Sequence, residues 1–250
     1  MNLWRLEWLR LMRTKRWVAL AAVYVLFGLI GPLTARYIQE ILSRVGSADG
    51  TVITVPAPTP PDGMVQFVSN ASQIGTLVVV IVAAGALAFD AIPEMGVFLR
   101  TRVTPASRIL VPRLVVSFLA AAGAFVAGAG VAWYETWALI GALDPGSVLA
   151  GVALGLVFLA FVVALTAAVA QRMRKVLGTV MASLVVLVAM PLLGLAPAIS
   201  RWLPTSLANA LADLPGGGTM DNYWPALGVS VVATALLVWL AFGWAGRREA

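Results

Sequence analysis

The sequence predicts an all-α integral membrane protein with six transmembrane helices. Hydrophobic residues make up 61% of the 250-residue chain and charged residues only 11%, so a soluble fold would expose far too much apolar surface to water. Several apolar runs approach the roughly 20 residues that a helix needs to cross a bilayer. No polar stretch is long enough for a separate soluble domain. We therefore expect residues 1–250 to form a single transmembrane domain.

Residues 1–16, MNLWRLEWLRLMRTKR, are predicted to form an amphipathic helix. At helical spacing its apolar stripe consists of Trp4, Trp8, Leu11 and Met12. Its charged side chains lie broadly opposite, at Glu7, Arg10, Arg13 and Arg16. Such a helix lies in the inner headgroup layer, with its tryptophans at the interface and its arginines toward anionic lipid. The alternative interpretation is a basic tail that only sets the topology.

The transmembrane helices follow from the apolar runs. The predicted spans cover about residues 17–35, 66–89, 114–134, 148–170, 176–199 and 223–245. A cleaved signal peptide is the alternative interpretation of the first span. However, its basic region is long, and its apolar run exceeds the usual length of about 7–15 residues.

Basic residues are concentrated on one side of this topology. Six spans place both termini on the same side as the loops at residues 90–113 and 171–175. Of the 17 lysines and arginines, only Arg36, Arg44 and Arg201 fall on the opposite side. The positive-inside rule therefore predicts that both termini are cytoplasmic. We expect a multi-pass protein of a bacterial plasma membrane, whose net charge requires no nucleic-acid partner.

Charged residues are absent from the interiors of the predicted spans. Burying one costs about 2.5–3.5 kcal/mol on insertion scales, and ion-coupled transporters accept this cost because they need a titratable or ion-binding group. The chain also has no cysteine and no histidine, which excludes thiol and imidazole chemistry and the usual zinc sites. No phosphate-binding G-x-x-x-x-G-K-[ST] motif occurs. We therefore expect no catalytic residue, no metal site and no cofactor bound by this chain.

Prolines and glycines shape the segments on the opposite side. Residues 36–63 are predicted to form an extended, proline-rich loop. Pro191 and Pro197 are expected to kink or interrupt the fifth span, because each lacks an amide hydrogen. Between spans five and six, residues Leu203 to Leu214 are predicted to form a short re-entrant helix at the outer interface, since about twelve residues cannot cross a bilayer.

The loop DAIPEMGVFLRTRVTPASRILVPR, residues 90–113, is predicted to contain a short helix across the cytoplasmic face. Pro93 can occupy its first position, and Glu94 lies in its first turn, where the helix dipole favours an acid. Thr104 and Pro105 end it. Its apolar and basic side chains are Met95, Phe98, Leu99, Arg100 and Arg102. The helix is either a docking surface for another protein or a solvated basic loop that only enforces the topology.

These features together resemble the membrane subunits of ATP-binding cassette exporters of the ABC-2 type, which have a six-span, type V-like fold. In that family the first cytoplasmic loop commonly has a glutamate, a nearby glycine, a leucine-rich stretch and then P-x-x-R. The matching positions here are Glu94, Gly96, Phe98, Leu99, Pro105 and Arg108. The chain departs from the pattern at PEMG, where the family often has a charged residue before the motif, and at Arg100 and Arg102, which replace part of the leucine run.

The resemblance implies a half-transporter. Two permease subunits, either two copies of this chain or one copy and a similar subunit, would enclose a path through the membrane lipids. Two cytoplasmic ABC ATPase subunits would bind and hydrolyse MgATP. Residues 1–16 would be the elbow helix, represented by Trp4, Trp8, Arg10 and Arg13. Residues 94–103 would be the coupling helix, and the ATPase-docking residues would be Glu94, Met95, Gly96, Phe98, Leu99, Arg100, Arg102, Pro105 and Arg108.

On this resemblance, the complex would export an amphiphilic or hydrophobic substrate, such as a lipid, a drug or a peptide. Two alternatives belong to other classes. A secondary transporter or channel would work without an ATPase, and reconstitution of this chain alone with an ion gradient would reveal it. A membrane anchor or intramembrane enzyme is disfavoured, because no acid-base or metal cluster occurs within the spans.

Overall fold

Long α-helices dominate the computed structural model, which describes residues 3–49, 56–88, 107–173 and 175–246. Most of the described residues are helical, and no strand occurs among them. The helices are α1 (Leu3–Arg13), α2 (Arg16–Asp49), α3 (Pro60–Asn70), α4 (Thr76–Leu87), α5 (Ser107–Leu139), α6 (Pro145–Met173), α7 (Val176–Leu193), α8 (Pro197–Ser200), α9 (Ser206–Asp213) and α10 (Trp224–Gly246). A π-helical segment, Ala71–Gly75, joins α3 to α4, and two 3₁₀ turns, Leu214–Gly216 and Met220–Tyr223, lie between α9 and α10.

Six stretches of these residues are long and apolar enough to cross a membrane. They are Arg16–Ile38, Pro60–Leu87, Ser107–Leu139, Pro145–Met173, Val176–Leu193 and Met220–Gly246. The predicted fold class, an all-α protein with six spanning helices, is therefore confirmed.

Local sequence explains where the spanning helices begin. The second span starts at Pro60, earlier than predicted, because the Asp62 carboxylate accepts the Thr59 N–H at 2.7 Å and proline suits the first helical position. At α6 the aspartate instead precedes the helix, and Asp144 accepts the Ser147 N–H of the first turn at 2.7 Å. A carboxylate thus accepts one N–H at the start of each helix.

The prediction of an extended loop at residues 36–63 is wrong for its first part, because α2 continues to Asp49. No glycine or proline interrupts the sequence from Arg36 to Val45, so nothing local ends the helix at the point where the apolar run stops. Between α1 and α2 the chain turns at Lys15, which adopts a left-handed conformation with φ 53°. Helix α1 therefore leaves the axis of the first span.

Close approach between α2 and α5 forms one side of the core. A Cβ added at Gly28 would lie 2.5 Å from the Gly128 carbonyl oxygen, and one added at Gly128 would lie 2.5 Å from the Tyr24 carbonyl oxygen. Small residues let membrane helices pack at such distances. The Tyr24 ring meets Phe125 edge-on, with centroids 5.8 Å apart, and Phe67 stacks on Phe125 at 6.2 Å.

Helix α6 lies at the centre of the bundle, whereas α7 and α10 lie at its margin. In the most apolar window of each, 61% of the α6 residues are buried but only 17% of those in α7 and α10. The short helix predicted between spans five and six is present as α9. Its buried side chains Leu207, Ala210 and Leu211 pack into the bundle, and a Cβ at Gly151 of α6 would lie 2.5 Å from the Leu211 Cα.

Candidate functional site

Four polar side chains from three different helices converge on the last turn of α4, shortly before the segment at residues 89–106. They are Glu7 and Arg10 of α1, Arg113 of α5 and Gln171 of α6. We call these four side chains the basal cluster, and the end of the bundle where they lie the basal end.

The basal cluster caps α4. The last carbonyl groups of a helix have no partner within it and carry the negative end of the helix dipole, so they favour cationic and N–H donors. Each of the three donors here is 3.3 Å from its carbonyl oxygen: Arg10 Nη2 donates to Gly85, Arg113 Nη1 to Ala86 and Gln171 Nε2 to Leu87. The terminus of α4 is thereby held by α1, α5 and α6 together.

A buried ion pair completes the cluster. Arg113 Nε donates to Glu7 Oε1 at 2.8 Å, and the two side chains are only 6% and 8% exposed. Arg10 Nη1 lies 3.6 Å from the second oxygen of Glu7. Because removing one partner of a buried pair leaves an uncompensated charge, such a pair holds its two elements together firmly. Here it ties α1 to the start of α5.

Helix α1 presents two different faces. Glu7 and Leu11 are buried against the bundle, whereas Trp4 and Trp8 are each 45% exposed. The predicted grouping of Glu7 with the arginines, opposite Leu11, is therefore wrong, because Glu7 is buried beside Leu11 and pairs with Arg113 inside the protein. The sequence signal for this contact is a lone acid in a basic helix and an arginine at the mouth of a span. Neither signal shows that Glu7 and Arg113 contact each other.

The other predicted site residues lie in different places. Arg13 is exposed at the end of α1, and Arg108 is exposed at the second position of α5, one to two turns before Arg113. The predicted docking residues Glu94, Met95, Gly96, Phe98, Leu99, Arg100, Arg102 and Pro105 lie outside the described residues. The coupling helix accordingly stays a prediction.

The two prolines expected to kink the fifth span lie on either side of its end. Pro191 is in the last turn of α7, which stops at Leu193, and Pro197 is the first residue of α8. The predicted span to residue 199 is thus too long: the chain leaves α7 after Pro191 and restarts at a proline suited to the first helical position.

The contacts of the basal cluster hold helices together. It contains a carboxylate, two guanidinium groups and an amide, all directed at one another or at backbone carbonyls. Among the described residues no group of three or more His, Cys, Asp or Glu side chains could hold a metal ion. What this arrangement can do is keep α1, α4, α5 and α6 in register.

Comparison with known proteins gives one full-length likeness. The chain is 24% identical over 251 residues to a protein of Bacillus subtilis strain 168 described as the uncharacterized transmembrane protein YxlG. The alignment covers 99% of this chain and 97% of that protein. No family model matches the sequence, and no solved structure matches it. The likeness agrees with the fold: the chain is a multi-pass transmembrane protein.

Proposed function

We propose that this chain is the membrane subunit of an ATP-driven exporter of the ABC-2 type, powered by a separate cytoplasmic ATPase. The observation that carries the proposal is the basal cluster. The segment at residues 89–106 is bounded by the last turn of α4 and the start of α5, and the cluster joins the last turn of α4 to the second turn of α5, to α1 and to α6.

A force applied to this segment would reach several helices at once. Arg113 donates both to Ala86 of α4 and to Glu7 of α1, so α4, α5 and α1 are linked through one guanidinium group. Rigid elements linked by hydrogen bonds and ion pairs move as a body rather than deform separately. A partner that pushes on the segment would therefore move α1, α4, α5 and α6 together.

The charges of the bundle bear on how transport would be powered. Within the described residues, the only charged side chains that are buried are Glu7 and Arg113, and these pair with each other. A proton-coupled transporter needs a titratable group within the membrane that can change its charge during the cycle. This arrangement supports a transporter that receives its energy from a partner, and it disfavours a secondary transporter.

The proposed assembly contains two permease subunits and two ATPase subunits that bind MgATP. Both termini lie in the cytoplasm of a bacterial cell, and α1 acts as the elbow helix, with Trp4 and Trp8 in the headgroup layer. Residues 94–103 dock on the ATPase, and Arg108, at the second position of α5, adds to the docking surface. The substrate is an amphiphilic or hydrophobic molecule that leaves the cell.

Two variants of the docking segment test this assignment. The variants are Glu94→Ala and Arg108→Ala, of which Arg108→Ala should leave the fold intact because Arg108 is exposed. In the complex purified with its ATPase, they should lower the ATPase activity that depends on the permease. Arg201→Ala serves as the control, since Arg201 falls on the opposite side of the predicted topology. The proposal fails if no P-loop ATPase co-purifies, or if the chain alone moves an ion or solute down its gradient in liposomes.

A further inference from the structure

A cavity of about 390 Å³ opens beside the π-helical segment. It lies between that segment, α6, the end of α7, and the stretch from α8 to α9. Its hydrogen-bonding side chains are Ser72, Thr76, Ser200, Thr205, Ser206 and Asn209. Small-molecule sites typically measure about 300–1,000 Å³ and combine an apolar wall with a few polar groups, and this cavity has both properties.

The π-helical segment shapes one wall of the cavity. The Thr76 N–H bonds to the Ala71 carbonyl, five residues back, so the helix carries an extra residue per turn there. Such interruptions are rare within α-helices and frequently occur at functional sites. Ser72, which belongs to the segment, lines the cavity and also an adjoining groove that extends along α3 and α9.

The residues that line the cavity disfavour a charged ligand. Among the residues that the structure describes, no charged side chain lines the 390 Å³ cavity. In the adjoining groove, Asp213 already accepts the Tyr223 hydroxyl at 2.8 Å. A charged headgroup entering the cavity would lose water without meeting a counter-charge, which is costly. An uncharged hydroxyl or amide would instead exchange its hydrogen bonds to water for hydrogen bonds to the protein.

The remaining wall is apolar, with Phe158, Leu187 and Leu203 on it. Within the part of the chain that the structure describes, the side chains of Ser72 and Asn209 make no hydrogen bond. A pure hydrocarbon in the cavity would leave these polar groups without partners. The lining thus matches a molecule with an apolar body and an uncharged polar head.

We propose that this cavity binds an uncharged amphiphile that carries hydroxyl or amide groups. The proposal deepens the function proposed above by naming a substrate class, and it rests on that function only for the statement that the bound molecule is transported. Binding itself is a property of this chain and requires neither the ATPase nor ATP.

Site-specific labelling can test this binding, because the chain contains no cysteine. Ser72→Cys introduces a unique thiol at the cavity with little change in size. The full-length variant in phosphatidylcholine nanodiscs is treated with N-ethylmaleimide, without ATPase or ATP. The probes share a twelve-carbon chain and differ in their heads: dodecanoyl glycerol is uncharged, dodecyltrimethylammonium is cationic and dodecyl phosphate is anionic. Each probe is added to the same mole fraction in the bilayer.

Dodecanoyl glycerol should slow the alkylation of Ser72→Cys and should bind about five-fold more tightly than either charged probe, the affinity ratio that corresponds to roughly one net hydrogen bond. The two charged probes should have little effect. Ser147→Cys is the matched control, because Ser147 is also partly buried but lines neither the cavity nor the groove. Its alkylation should be insensitive to all three probes.

A second variant tests the selection against charge directly. Adding Asn209→Asp to Ser72→Cys places a carboxylate on the lining, so dodecyltrimethylammonium should now protect the thiol. Equal protection of Ser72→Cys by all three probes would overturn the proposal, because the cavity would then recognise only the alkyl chain. Protection by none of them would also overturn it. Either outcome is independent of whether an ATPase partner exists, which the co-purification test decides.

Discussion

Replacing Arg113 with methionine should loosen the attachment of α1 to the bundle. The substitution removes the guanidinium group that lies 2.8 Å from Glu7 and leaves a carboxylate that is only 8% exposed. Removing one partner of a buried ion pair typically costs about 3–5 kcal/mol. Glu7 would keep Arg10, 3.6 Å away, so we expect a loss near the lower limit, about 3 kcal/mol in the free energy of unfolding.

The assay is reversible unfolding of the purified chain in mixed micelles, followed by tryptophan fluorescence as a denaturing detergent is added. Arg13→Met is the matched control: Arg13 is exposed at the end of α1, so its replacement should change stability by no more than about 0.5 kcal/mol. Both variants remove one arginine, which keeps the change in net charge equal.

A double-mutant cycle separates the ion pair from other effects of the substitution. In Glu7→Met/Arg113→Met the uncompensated charge is gone, and apolar replacements of buried pairs are often close to neutral. The double variant should therefore lose less stability than Arg113→Met alone, with a coupling energy of at least about 2 kcal/mol. Additive effects of the two substitutions, or equal stabilities of Arg113→Met and Arg13→Met, would refute the buried pair as the attachment of α1.

Two further predictions concern close helix contacts. In Gly128→Ala the added Cβ would lie 2.5 Å from the Tyr24 carbonyl oxygen, where ordinary contact begins at 3.4 Å, so thermal unfolding should show a loss of about 1–3 kcal/mol. Gly123→Ala on the same helix meets nothing within 4 Å and should be near neutral; equal losses would contradict the packing. Gly151→Ala would clash with the Leu211 Cα at 2.5 Å, so α9 should shift and the chain after it should be cleaved faster in limited proteolysis. An unchanged cleavage rate would argue against that contact.

The number and type of the spanning helices could be predicted because each apolar run is long enough to cross a bilayer, and only a helix satisfies its own backbone there. The ends of the helices were less predictable. Hydropathy ceases near Arg36, but α2 continues to Asp49 because helix propensity, not apolarity, decides where a helix stops outside the apolar region. At the fifth span the helix ends before the apolar sequence does, since α7 stops at Leu193.

The basal cluster could be predicted only in part. Helical periodicity shows which residues share a face of α1, but it does not identify what that face meets. Glu7 and Arg113 are 106 positions apart in the chain, and their contact depends on how α1 turns at Lys15 and how α5 packs. The π-helical segment has no sequence signal of its own either. Its ASQIG stretch would also suit a regular helix.

The two polar regions of the bundle differ in a way that the proposed mechanism explains. At the basal end, charges are buried in a compensated pair, which gives a stable joint between helices. The cavity beside the π-helical segment is lined by hydroxyl and amide groups, and no described residue adds a charged side chain to it. A transporter driven by proton movement would need the opposite arrangement, with a titratable group in the cavity. If ATP hydrolysis in a partner supplies the energy, the cavity needs only to recognise its ligand, and the charged groups can serve to transmit movement.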